Sequence, residues 1–119
     1  MLDKANILSE RLLNYAVEII NLTMKLRINP TGTHIANQLI RCGTSNGANY
    51  EEVCAASSRA DFINKMTIVL KETRESLFWI RVTDRAKILN GHNLKPLLDE
   101  TTELMNIMAK SIITARNNK

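Results

Sequence analysis

The chain has 119 residues, 45% apolar and 24% charged, with two prolines and four glycines. That is enough for a single domain over 1–119 with a buried core, and it argues against long disordered linkers. Sixteen Lys and Arg against twelve Asp and Glu give a net charge of +4, which tolerates a polyanionic partner without demanding one, and no histone-like basic cluster is present. No apolar run approaches the ~20 residues of a membrane span. The N-terminus scatters charges through MLDKANILSERLLNYAVEII and lacks a small-residue cleavage site, so a cytoplasmic protein without membrane association is expected.

Four helical segments follow in chain order. The first is expected from about Asp3 to Ile28, where Leu8, Leu12, Tyr15, Ile19, Leu22 and Leu26 make a core stripe. Pro30 and Gly32 break it. The second is expected from about Thr33 to Ser57, with Ile35, Leu39, Cys42, Asn46, Asn49 and Val53 on one line and Ala36, Ile40, Gly43, Gly47, Tyr50 and Cys54 beside it. Ser58 and Asp61 suit the start of a third helix running to about Leu89, with Ile63, Met66, Leu70, Thr73, Leu77 and Ile80 as its core line and Asn90-Gly91 as its stop. Asn93 caps the fourth, which carries Leu94, Leu97, Thr101, Leu104, Met108, Ser111 and Ala115, with Pro96 tolerated in the first turn. Helices joined by short loops predict an all-α fold, an antiparallel up-down-up-down four-helix bundle.

The stretch RCGTSNGANYEEVCAASSRADF, residues 41–62, stands apart from this easy helix. Each helical glycine costs about 1 kcal/mol relative to alanine. A face of Ala36, Gly43, Gly47 and Cys54 lets a neighbouring backbone approach, and close packing offsets that cost. The alternative is a turn at GTSNG that forms an anion-binding nest. The unbroken spacing through the segment favours helix. Asn46 and Asn49 then lie at the core seam, where they need hydrogen-bond partners and set register. Cys42 and Cys54, twelve residues apart on one helix, would be about 18 Å apart, too far for a disulfide. Both read as reduced and buried.

Two helices carry more apolar surface than one core face needs. Leu13, Val17, Ile20 and Met24 lie opposite the core stripe of the first helix, and Ile68, Trp79 and Val82 lie off the core line of the third. The reading is a homo-oligomer with Leu13, Val17, Ile20, Ile68, Trp79 and Val82 at the subunit interface and Trp79 as anchor. The alternative is one wide core stripe plus stray exposed residues.

Residues 59–90 hold seven Lys and Arg against four acids. At about 100° per residue, Lys71, Arg74, Arg81 and Arg85 share one narrow arc with Phe78. Such a row can follow a phosphate backbone and stack a base. The alternative is a solvated face, partly neutralised by Glu72 and Glu75.

Catalytic chemistry finds little support. His34 and His92 are far apart and neither sits three residues after a Glu, as a di-iron bundle requires. No metal-spaced Cys/His set and no phosphate-binding Gly-rich Lys loop is present. Glu51-Glu52 and Glu72/Glu75 could in principle pair across helices as acid and base, but carboxylates on a bundle surface usually do no more than face solvent. No enzyme activity, metal or cofactor is expected.

The segment NQLIRCGTSNGANYEEVCAASSRADFINKMTIVLKETRESLFWIRV, residues 37–82, resembles the 23S rRNA intervening-sequence family of four-helix-bundle proteins. Gln38, Arg41, Ser45, Asn49, Glu52, Asp61, Phe62, Lys65, Lys71, Glu72, Glu75 and Trp79 fall on the family's pattern. Cys42, Asn46 and Val53 depart from it mildly. The resemblance covers about the central two fifths of the chain. It implies a bacterial, antiparallel bundle that forms ring-shaped homo-oligomers, pentamers among them, and Arg41, Ser45, Asn49, Glu52 and Phe62 are the motif positions carried over. Related accessory proteins of diversity-generating retroelements look like binders of RNA and reverse transcriptase. The expected function is therefore binding of structured RNA or an RNA-bound protein through the basic face. The competing expectation is a protein–protein scaffold that binds no nucleic acid.

Overall fold

The first three helices each start at a short polar side chain that accepts an otherwise orphaned amide. In the computed structural model, which describes residues 3–118, the chain forms α1 (Lys4–Leu26), α2 (Pro30–Cys54), α3 (Arg59–Arg85) and α4 (Lys95–Asn117). No strand occurs among the described residues. Asp3 accepts the Asn6 amide at 2.9 Å, Asn29 the Gly32 amide at 2.8 Å, and Ser58 the Asp61 amide at 3.0 Å. Asn29 with Pro30 behind it starts α2 three residues earlier than the Thr33 expected from the sequence. The Asp61 carboxylate accepts from the Ser57 amide at 3.0 Å and pairs with Lys65 at 3.1 Å, which lowers its pKa, the amide bond being the larger cause.

Helix α2 ends at Cys54, three residues short of the expected Ser57, and two further ends differ from expectation. Helix α3 stops at Arg85, because Lys87 takes a left-handed conformation with φ 52°. The Asn90-Gly91 pair lies in the connection, with Gly91 at φ 74°. At α4 the capping position is Leu94, which provides no side-chain bond; Asn93 reaches past it to the Lys95 amide at 3.1 Å.

The six stripe residues expected of α1, from Leu8 to Leu26, are all buried. The α3 core line is shifted. Met66, Val69, Thr73, Ser76, Ile80 and Thr83 are buried, whereas Ile63, Leu70 and Leu77 are half-buried. Helix α3 packs between α2 and α4, and its buried centre mixes the expected Met66, Thr73 and Ile80 with Val69, Ser76 and Thr83, while Ile63, Leu70 and Leu77 flank it. Trp79 and Val82 are among those flanks, packed against the core rather than standing on a separate face. In α4, Ile112 is buried and Ser111 and Ala115 are only half-buried.

The glycines of α2 answer the question raised by its composition. A Cβ at Gly43 would lie 2.8 Å from Ile19 Cγ2, and one at Gly47 would lie 3.4 Å from Leu12 Cβ. The segment is helix, and α1 packs onto its bare side. Along this pair, rising residue numbers on α1 meet falling numbers on α2: Ala5 accepts from the Tyr50 hydroxyl at 3.4 Å, Leu12 meets Gly47, Ile19 meets Gly43, and the Leu26 carbonyl abuts Gly32.

The core has a polar belt to which every helix contributes. The Tyr15 hydroxyl and Thr101 Oγ1 are 2.8 Å apart, Asn46 Nδ2 donates to Thr73 Oγ1 at 3.2 Å, and the Ser76 hydroxyl lies 3.3 Å from Cys42 Sγ. Thr73 and Thr101 also donate back to the carbonyls of Val69 and Leu97. Among the described residues no buried side-chain nitrogen or oxygen lacks a partner, which is the condition for tolerating such a belt. Burial pushes the Tyr15 phenol up to about 12, against the opposing effect of its bond to Thr101, and raises the Cys42 thiol. Cys42 is buried as expected, but Cys54 is exposed in the last turn of α2.

Candidate nucleic-acid interface on helix α3

The interface starts from how α3 disposes its charges. Lys71, Arg74, Arg81 and Arg85 are all exposed, and none lies within 4.0 Å of a carboxylate among the described residues. Four other cations behave differently, whereas Lys4, Lys25, Arg27, Arg59, Lys87, Lys110 and Arg116 likewise have no carboxylate within 4.0 Å among the described residues. Arg11 of α1 crosses to Glu100 and Glu103 of α4, Arg41 of α2 crosses to Glu75 of α3, and Lys65 and Lys95 pair within their own helices.

The acids expected to neutralise the row are turned away from it. Glu72 accepts from Ser45 and, at 2.7 Å, from Asn49 Nδ2. Glu75 accepts from Arg41, which also reaches Gln38 at 3.2 Å. Both carboxylates are thus committed to α2, so the outer arc of α3 keeps its positive charge. Phe78 lies on this arc and is 55% exposed. Its ring meets Trp79 edge-on, with centroids 5.0 Å apart at 80°, and Trp79 in turn meets His34 of α2 at 5.7 Å and 82°.

The family-pattern residues divide by role. Arg41, Ser45 and Asn49 form the α2 side of a polar ladder, with Glu75 and Glu72 opposite. This joins two helices. Glu52 is exposed. Phe62 is half-buried and lines an open groove of ≈ 480 Å³ with Lys4, Ile107 and Lys110, near the start of α3 and away from the basic row.

Of the six residues expected at a subunit interface, Leu13, Val17, Ile20 and Ile68 are exposed. Trp79 and Val82 are half-buried within the protomer. Met24, at 69%, is the most exposed large apolar side chain among the described residues, and it extends the α1 row. Ile40 of α2 is also exposed.

Sequence reasoning missed three features: the Arg11 clamp, the contact between Ser9 and Glu51, and the Trp79–His34 contact. Each joins residues at least 42 apart, and no local spacing signals such pairs. Among the described residues no group of three or more His, Cys, Asp or Glu is placed to hold a metal ion, and no helix is long and apolar enough to cross a membrane.

The chain matches the family model of the 23S rRNA-intervening sequence protein over residues 4–110. It is also similar to a crystal structure from Bacteroides thetaiotaomicron VPI-5482, of a protein with unknown function from the S23 ribosomal protein family. The two are 34% identical, the match covers 92% of this chain and 98% of that one, and the TM-score is 0.83. No curated protein matches. With nearly the whole length accounted for in both comparisons, the chain belongs to the 23S rRNA-intervening sequence protein family.

Proposed function

We propose that this protein is a non-enzymatic, cytoplasmic homo-oligomer that binds structured RNA, free or within a ribonucleoprotein, through the outer face of α3. The observation that carries the reading is the contrast among the charges of α3: Lys71, Arg74, Arg81 and Arg85 are exposed with no carboxylate within 4.0 Å among the described residues, while Glu72 and Glu75 on the same helix are held by α2. A row of uncompensated cations on a rigid helix attracts phosphates chiefly by counterion release.

The oligomer is supported by the exposed apolar row Leu13, Val17, Ile20 and Met24 on α1, since a bundle helix needs only one apolar face. A ring of five copies is the assembly the family resemblance implies, and repetition around it would add the fields of the basic rows. Antiparallel up-down-up-down topology belongs to the same reading, supported by the opposed numbering along the α1–α2 contact. The same apolar row also supports a second reading, a scaffold for a different protein in which the basic face only confers solubility.

The test is a salt titration of binding to a structured rRNA fragment. Four engaged cations predict a slope of log K against log salt on the order of −3 per bound subunit. Absence of binding at low salt would eliminate the RNA reading and leave the scaffold.

A further inference from the structure

Resting on the RNA reading, we infer that the α3 face takes RNA carrying an unpaired base, with Phe78 as the platform on which that base stacks. Lys71, Arg74, Phe78, Arg81 and Arg85 follow one another at spacings of three, four, three and four residues. They therefore lie in one line on the helix, extending about 21 Å, with the aromatic ring at its centre.

A ring in that position has no role in the core: Phe78 is 55% exposed, although the neighbouring Trp79 is packed inward. Nor does it wander freely. Its ring lies against Trp79 at 5.0 Å, and Trp79 is braced by His34 at 5.7 Å. Both contacts are edge-to-face, the favoured geometry for aromatic pairs. A braced, solvent-facing ring between cations offers phosphates two positive contacts on either side and a base one apolar surface in the middle. A fully paired helix keeps its bases stacked on each other and offers only backbone and groove edges. A bulge or loop can turn a base outward onto an aromatic ring. The charge of the row favours nucleic acid over an apolar protein surface at this spot.

The experiment uses the full-length protein and two synthetic RNA hairpins closed by the same non-nucleotide linker, so that neither has loop bases. One has a continuous paired stem; the other carries a single 2-aminopurine bulge in that stem. Stacking of one base predicts roughly ten-fold tighter binding of the bulged hairpin, with quenching of 2-aminopurine fluorescence on binding. Phe78→Ala should remove the preference and the quenching but leave the salt slope unchanged, and Phe78→Trp should restore both. Equal affinity for the two hairpins, or a preference that survives Phe78→Ala, overturns the platform while leaving phosphate binding intact. No binding of either hairpin at low salt overturns the RNA reading and the platform together. A Phe78→Ala protein that keeps the preference but shows a smaller mass in light scattering would make Phe78 a subunit contact instead.

Discussion

Gly43 lies against Ile19 so closely that a single added carbon would sit 2.8 Å from Cγ2 and 2.9 Å from Cγ1 of that side chain. The α1–α2 spacing is set at this point. Gly47, one turn on, is 3.4 Å from Leu12 by the same measure, an ordinary contact distance. The two glycines should therefore respond oppositely to alanine. Gly43→Ala gains about 1 kcal/mol of helix propensity but overpacks the contact, at a cost of about 1–3 kcal/mol; a net loss is expected. Gly47→Ala should be neutral or stabilising by up to about 1 kcal/mol. Urea denaturation of the two variants checks this, and Gly43→Ala combined with Ile19→Ala should cost less than the sum of the two single changes, because removal of the buried Ile19 side chain relieves the overpacking.

Glu72 holds two α2 side chains at once, Ser45 and Asn49. Glu72→Ala should cost about 1–3 kcal/mol in stability, since bonds to a charged acceptor are the stronger kind and the site is half-buried. A double-mutant cycle with Asn49→Ala should show clear coupling; simple additivity would mean the ladder contributes nothing specific. Arg41→Ala, which breaks an exposed pair with Glu75, should cost no more than about 1 kcal/mol.

Reversal of two charges tests the basic row without touching packing. Arg74→Glu together with Arg81→Glu should abolish binding to an rRNA fragment while leaving the mass in light scattering and the circular dichroism spectrum unchanged. Retained affinity in the double variant would place the RNA elsewhere on the protein.

The α1 row makes a separate prediction. Val17→Glu with Ile20→Lys should yield smaller species in multi-angle light scattering and leave helix content intact, because both positions are exposed in the protomer. Trp79→Ala should act differently. Its ring packs on the core and on His34, so its truncation should lower the melting temperature whatever it does to assembly. An unchanged mass for the α1 double variant would remove that row from the interface.

The Tyr15 phenol, raised to about 12 by burial, gives an alkaline signature. An ordinary tyrosine in the unfolded chain ionises near pH 10. Below about pH 10 both states hold the proton and stability is complete. Between about 10 and 12 the unfolded state releases it first, so stability falls by about 1.4 kcal/mol per pH unit and levels off above the folded pKa. Tyr50, also raised by burial, acts in the same direction. Tyr15→Phe should cost about 1 kcal/mol at neutral pH through loss of its bond to Thr101, and should flatten the alkaline decline relative to the parent chain. Equal decline in both proteins would show that Tyr15 ionises without resistance.

Much of this molecule follows from local periodicity. The six residues from Leu8 to Leu26 recur at three and four residues, so all lie on one side of a helix, and burial of that side needs no knowledge of the neighbours. The Ser58 cap is equally local, since a hydroxyl three residues before an unpaired amide is in reach by backbone geometry alone. The arc shared by Lys71, Arg74, Arg81 and Arg85 is likewise a property of helical pitch.

Tertiary structure decided what lies between helices. Along α3 the larger residues Leu70 and Leu77 suggested one core line. Val69 and Ser76 are buried there instead, in a helix contacted by α2 on one side and α4 on the other. Glu72 and Glu75 could equally have paired along their own helix. That they cross to Ser45, Asn49 and Arg41 depends on which face α2 presents. Sequence by itself determined the four helices, the Ser58 cap and the single arc of cations, because these depend on residues within a turn or two of one another. Only packing determined which acids would leave that arc positive and which glycine would touch Ile19, because both depend on the distance and rotation between helices that the chain brings together over tens of residues.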